Sequence, residues 1–206
     1  MAIDVIFQIA VLIMSVVIHE VSHGYVANSL GDPTARLEGR LSLNPIRHLD
    51  PFGSILVPIV TSLSGFTFGW AKPVPYNPYN LRNGRRGEVM VALAGPLSNI
   101  IIALFFGLLI RFMAAGDFAN MGAFGQIAAI ITITNLVLAI FNLVPIPPLD
   151  GSKILFGILP ETQIGPFRAF LERYGFALVL VFIFFLWQFV SPLIGFLFAL
   201  LTGLHF

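Results

Sequence analysis

His19-Glu20-Val21-Ser22-His23 is the stretch of this sequence best equipped for chemistry. Residues four apart lie on one face of an α-helix, so both imidazoles can reach a single ion. A glutamate beside the first imidazole is placed to activate metal-held water rather than to bind the metal. A catalytic zinc site takes three protein ligands and leaves a fourth position open, so a third donor is required. The chain has no cysteine, which rules out disulfides and thiolate ligands and leaves nitrogen and oxygen. The remaining candidates are His48, His205, Asp4, Asp32, Asp50, Asp117 and Asp150.

Asp150 lies in Asn142-Leu-Val-Pro-Ile-Pro-Pro-Leu-Asp150-Gly151. Three prolines prevent continued helix and hold the segment extended. Such a rigid loop can turn a carboxylate back into a helical bundle. Asp-Gly-Ser before Lys153-Ile-Leu-Phe also reads as a helix N-cap, and spacing alone leaves the two roles open. His48 and Asp50 flank a turn, Asn44-Pro-Ile-Arg-His-Leu-Asp-Pro51, whose composition is accounted for by turn chemistry. His205, beside the last residue, reads as a surface residue.

The elements that must position these groups are set by the solvent. Of 206 residues, 57% are hydrophobic and 10% charged, with a mean hydropathy of +0.92; soluble domains carry about 25% charged residues. So little polar surface implies a membrane protein. A net charge of +1 carries no message about nucleic acid. The apolar start, Val5 to Ile18, lacks the basic residues and small-residue cleavage site of a signal peptide and runs directly into His19. The expected fold is an all-α polytopic membrane protein forming one domain over 1–206. Its spans are about 5–30, 89–115, 126–145 and 174–204, each long enough for a ~30 Å core. The last is too long to lie straight across it, and Pro192 is the expected break.

Residues 51–70 form a fifth apolar stretch interrupted by Pro58, serines and glycines. Basic residues gather on the cytoplasmic side of membrane proteins. If 51–70 is re-entrant rather than a fifth span, ten of the eleven Lys and Arg residues fall on one side and Arg111 on the other. The expectation is therefore four spans plus a re-entrant segment, with the metal towards the cytoplasm. In the polar connector, 35–43 and 66–70 alternate with period two and predict a small β element at the membrane face. Its edge could clamp an extended peptide by β-addition.

Ionisable residues at membrane depth are costly and usually functional. Amides there must face the bundle and find partners. Asn99, Asn135 and Asn142 therefore read as interhelical hydrogen-bonding groups or, for Asn99 and Asn142, as residues lining a site.

Three motifs in order resemble the site-2 protease family of intramembrane zinc metalloproteases. They are His19-Glu-x-x-His23, Gly95-Pro96-Leu97-Ser98-Asn99, and Asn142-x-x-Pro-x-Pro-x-Leu-Asp150-Gly. Ser42 to Phe52 and Gly69-Trp-Ala-Lys-Pro-Val-Pro75 are similar to segments of its compact prokaryotic members. The resemblance implies one Zn2+ per chain held by His19, His23 and Asp150, with Glu20 as general base. It implies that Asn142 assists catalysis and Asn99 lines the substrate. It also implies a transmembrane protein substrate, cut within the bilayer of a prokaryotic cell membrane. Two alternatives remain at this stage. A zinc transporter would also place His and Asp at membrane depth, and another class of membrane metalloprotease would take Glu161 or Glu172 as third ligand.

Overall fold

A computed structural model describes residues 2–56, 71–114 and 121–204. Lipid offers no hydrogen bonds, so an apolar segment crossing it must satisfy its backbone internally as helix. The described chain follows this rule through α1 (Ala2–Ser29), a single turn α2 (Thr34–Leu37), α3 (Arg85–Ala114), α4 (Gly122–Asn142), α5 (Asp150–Ile158), α6 (Glu161–Val181) and α7 (Trp187–Thr202). Four stretches are long and apolar enough to cross a membrane: Phe7–Ser29, Arg85–Met113, Gly122–Asn142 and Ile164–Thr202. The protein is an all-α, multi-pass membrane protein.

Helix α3 is the hub, packed against α1, α4, α5 and α7. Apolar helices gain nothing from leaving lipid for one another, so close contact depends on small residues and buried polar groups. Gly107 supplies the first, since a Cβ there would lie 2.8 Å from Cβ of Leu201 on α7. Ala103, Leu136, Ile194 and Phe198 close a core between α3, α4 and α7. Ala27, Leu81 and Val91 close another between α1, the connector and α3.

The last span differs from expectation. It runs unbroken through Pro192, and its irregularity is a wider π-type turn at Phe182–Leu186, where the Trp187 N–H reaches back to the Phe182 carbonyl. Pro192 has no N–H for the Gln188 carbonyl, and Ser191 Oγ donates to that carbonyl instead, at 3.3 Å. The 39 residues of Ile164–Thr202 amount to ~58 Å of helix at ~1.5 Å each. The end carrying Arg168, Glu172 and Arg173 therefore projects beyond a ~30 Å hydrocarbon core.

The connector also departs from expectation. Among the described residues there is no strand, and 35–43 begins as the turn α2. The period-two pattern there does not mark a buried face. Leu37 and Leu43 are 76% and 56% exposed, whereas Arg40 is 6% exposed. Polar anchoring decides the local path instead. Asp32, wholly buried, accepts from Thr34 Oγ1 at 2.6 Å, Asn77 N at 2.7 Å and Asn80 Nδ2 at 2.9 Å. Burial pushes its carboxyl up, but these donors outweigh it and hold the group below the ordinary carboxylate range. The latch therefore contributes stability above a pH of about 4 and loses it as pH falls below that. The expected strand at 66–70 lies outside the described residues, as does most of the expected re-entrant segment 51–70. The described start of that segment, Pro51–Leu56, is a single π-type turn.

Between α4 and α5, residues 143–149 form a knot of short turns, with Leu149 N–H on the Ile146 carbonyl at 2.9 Å. Two glycines hold it in place. A Cβ at Gly151 would lie 2.2 Å from the Leu143 carbonyl oxygen, and one at Gly175 on α6 would lie 2.3 Å from that of Pro147. The knot is thus clasped between the start of α5 and the face of α6. Gly175→Ala should lower stability by roughly 1–3 kcal/mol, the usual cost of overpacking, read as a drop of several degrees in the melting temperature of detergent-solubilised protein.

Candidate metal centre

His19 and His23 lie inside α1, ten and six residues before its end at Ser29. At ~1.5 Å per residue that is ~15 Å and ~9 Å from the end of the span. Both are buried, at 5% and 8% exposed. Asp150, 7% exposed, is the first residue of α5. The cap position itself is taken by Leu149, whose side chain makes no cap bond. Asp150 Oδ2 instead faces both imidazoles, 3.1 Å from His19 Nε2 and 3.1 Å from His23 Nε2. The two Nε2 atoms are also 3.1 Å apart.

The outer nitrogens decide what this triangle contains. His23 Nδ1 lies 2.6 Å from the Val91 carbonyl, which can only accept, so Nδ1 carries the proton. His19 Nδ1 lies 2.6 Å from Asn99 Oδ1. The orientation of that amide is fixed because its nitrogen faces the Ser15 carbonyl at 3.4 Å and Asn135 Oδ1 at 2.7 Å. In the neutral rings both Nε2 atoms are then bare lone pairs, turned on each other and on a carboxylate. Three converging acceptors repel unless a cation lies between them. A tetrahedral zinc with ~2.0–2.1 Å bonds has ligands about 3.3 Å apart, close to the 3.1 Å edges found here. The donor set, its spacing and its outer hydrogen bonds all fit zinc.

Gly95 keeps the space clear. A Cβ there would lie 2.4 Å from His23 Nε2 and 2.5 Å from His19 Nε2. Pro96, next on α3, has no N–H for the Ala92 carbonyl one turn back. Behind His19 a buried chain of amides links three helices. Asn99 on α3 donates to Asn135 on α4, and Asn135 Nδ2 donates at 2.9 Å to Ser15 Oγ on α1.

Other expected site residues fall at varying distances from the triangle. Asn99 is fully buried with both ends of its amide used inside the bundle, contacts that differ from those of a substrate-lining group. Asn142 is half-buried at the end of α4, where its Nδ2 donates to the Leu138 carbonyl one turn back at 2.9 Å. Glu20 is half-buried and outside the converging donor set, with Oε2 accepting from Val74 N at 2.8 Å. Glu172 is held by Arg168 at 2.8 Å on the surface of α6. His48 is buried in the connector, with Nε2 2.7 Å from the Ser42 carbonyl, and Asp50 accepts from Phe52 N and Gly53 N, both at 2.8 Å. Expectations for Asp4, Asp117, Glu161 and His205 fall on side chains outside the described set.

Four residues at the site were not singled out by sequence reasoning: Gly95 as the clearance, Ser15 as the end of the amide chain, Val74 as the donor to Glu20, and Lys153. The Lys153 ammonium is 3.9 Å from Asp150 Oδ1 and lies over the Tyr76 ring, 5.4 Å from its centre. Burial, then the nearby Glu88 and Asp150 carboxylates, push the Tyr76 phenol up to about 12, so it stays neutral.

The sequence profile of Peptidase family M50 matches residues 109–186. The Putative zinc metalloprotease YwhC of Bacillus subtilis is 41% identical over 191 residues, covering 91% of this chain and 81% of its own length. The chain belongs to peptidase family M50, the site-2 protease family. The Putative zinc metalloprotease Rip2 of Mycolicibacterium smegmatis is 34% identical over 180 residues, covering 85% of this chain and 66% of its own. Zinc metalloprotease MJ0392 of Methanocaldococcus jannaschii is 27% identical over 150 residues, covering 73% of this chain and 33% of its own. No solved structure matches. Membership and the relatives' names indicate a zinc metalloprotease, consistent with a triangle suited to that metal.

Two outcomes follow from the geometry. Gly95→Ala should abolish stoichiometric zinc binding, measured by elemental analysis of purified protein. Asn99→Leu should weaken zinc affinity by about 10- to 100-fold, the usual cost of losing an outer-shell partner, measured by competition with a chelator.

Proposed function

We propose that this metalloprotease hydrolyses peptide bonds within transmembrane segments of other membrane proteins. The observation that carries this reading is the depth of the triangle, ~9–15 Å inside a span by residue count. A peptide bond must come into the membrane to meet it.

His19, His23 and Asp150 would hold the metal. Bound zinc would supply a Lewis acid that polarises a carbonyl and makes water acidic near pH 7. Glu20 acts as general base. Its Oε2 is occupied by the Val74 N–H, leaving Oε1 to take the proton from water and return it to the departing amine. Asn142 keeps one amide hydrogen and its oxygen beyond the bond to Leu138, enough to orient a substrate carbonyl. Asn99 serves the reaction through His19, holding the ring in the tautomer that presents Nε2.

The substrate class is a transmembrane protein helix that unwinds locally before cleavage, because a helix hides its peptide bonds. The chain lies in a cell membrane with the centre on the cytoplasmic side. Arg36, Arg40, Arg47, Lys72 and Arg82 lie between α1 and α3, Arg85 and Arg86 open α3, and such bias marks the cytoplasmic face.

The deciding experiment compares wild type with Glu20→Gln in liposomes, measuring zinc content and cleavage of a model transmembrane substrate. Both should hold about one zinc per chain on the family's three-ligand pattern, and only wild type should cut. A strong chelator should abolish cleavage and added zinc restore it. Equal cleavage by Glu20→Gln with zinc bound would sink the mechanism and bring zinc transport forward.

A further inference from the structure

Arg40 is 6% exposed in a connector of otherwise soluble character. Burying a guanidinium is costly unless its donors are met. Here three of them are met by backbone carbonyls: Nη1 donates to that of Arg47, and Nη2 donates to those of Lys72 at 2.7 Å and Pro73 at 3.1 Å. Nε has no partner. A buried charge spent on carbonyls points to what those carbonyls belong to.

The Pro73 carbonyl and the Val74 N–H are the two ends of one peptide group. The carbonyl end accepts from Arg40, and the N–H end donates to Glu20 Oε2 at 2.8 Å. Proline has no N–H, so in Pro73-Val74-Pro75 the Val74 amide is the single donor the backbone offers. The peptide is planar, so fixing its carbonyl fixes the direction of its N–H. The Lys72 N–H on the His48 carbonyl at 2.9 Å anchors the same segment to the connector. Val74 is 5% exposed, and its side chain lies against Gly24, where a Cβ would be 2.8 Å from its Cγ1. The segment is therefore tied on both sides, and the Glu20 carboxylate rests on its centre.

We propose that Arg40 is a positioning residue for Glu20, acting through the Pro73–Val74 peptide. The guanidinium fork holds that peptide so that its N–H engages one oxygen of Glu20 and directs the other towards the water to be deprotonated. The inference rests on Glu20 being the general base. It assigns the connector a part in catalysis that the three motifs do not contain.

The test uses the full chain in detergent and in liposomes. Arg40→Gln and Val74→Pro should each lower kcat by about 10- to 100-fold, the usual penalty for misplacing a catalytic group, with KM within about twofold and zinc content unchanged. Because both act through one peptide, the double variant should be no worse than the poorer single variant. Arg40→Lys, which keeps the charge but not the fork, should not restore full activity. Independently of turnover, the amide proton of Val74 in valine-labelled protein should move upfield in Glu20→Gln and in Arg40→Gln, as a charge-assisted hydrogen bond is lost. If Arg40→Gln fails to fold, Val74→Pro and the amide shift in Glu20→Gln still decide. Wild-type kcat in Arg40→Gln or in Val74→Pro, additive losses in the double variant, or loss of activity only in proportion to lost zinc would overturn the proposal. Should Glu20→Gln cut as well as wild type, the underlying mechanism fails, which is a different result from an inactive Glu20→Gln beside a fully active Arg40→Gln.

Discussion

Two imidazole nitrogens and a carboxylate oxygen converge 3.1 Å apart inside a lipid-embedded bundle, and in their neutral-ring form they repel one another unless a cation lies between them. Much of the remaining structure follows from meeting that condition. The imidazoles must present Nε2, so each Nδ1 needs an acceptor, and those acceptors come from α3 as Asn99 and the Val91 carbonyl. Asn99 must in turn be held, which draws in Asn135 from α4 and Ser15 from α1. The third donor must come from outside these helices, and the 143–149 knot delivers it at the first residue of α5. The hub position of α3 is thus explained by electrostatics as well as by packing, because it supplies both outer acceptors and, at Gly95, the open space over the ligands.

The polar network also explains how a bundle without a hydrophobic driving force between its helices acquires a single arrangement. Apolar contacts among α3, α4 and α7 tolerate sliding, since one leucine resembles another to its neighbours. A chain of amides linking α1, α3 and α4 does not, because a shift of one residue would leave several buried groups unpaired. The candidate metal triangle and the bundle therefore depend on the same groups. The three donors need the helices in register, and the register is fixed by groups that also orient those donors.

The spans, the His-Glu-x-x-His face and the convergence of Asp150 on it were legible in the sequence because each depends on local spacing or on motif order. The period of four on α1 needs only helix geometry, and the three prolines before Asp150 announce a rigid loop. What was not legible depended on the third dimension. Gly95 looks like any helix glycine until its Cα is found facing two imidazoles. The alternation at 35–43 predicted strands, but the burial of Asp32 and Arg40 outweighed side-chain period, since a buried charge must be satisfied whatever the neighbouring leucines prefer. Pro192 suggested a break, yet Ser191 supplies the missing donor and the helix continues. Asn99 and Asn142 looked alike as amides at membrane depth, and only their partners separate one that orients a ligand from one bonded to its own helix.

The connector is where these two kinds of constraint meet. Lipid demands that helices α1 and α3 be regular, and regular helices cannot bring a backbone N–H to the side of a neighbouring carboxylate, because their own ladder consumes it. An irregular segment can, provided its remaining polar groups are satisfied at the water-facing end of the bundle. Residues 71–77 meet this requirement. Prolines on either side of Val74 remove competing donors, and the buried Arg40 absorbs the carbonyls those prolines leave unpaired. The Glu20 carboxylate is accordingly held from the connector, while the imidazoles of His19 and His23 are held from within the helical bundle. The two meet on consecutive residues of one helix, His19 and Glu20, so the geometry of each constrains the other.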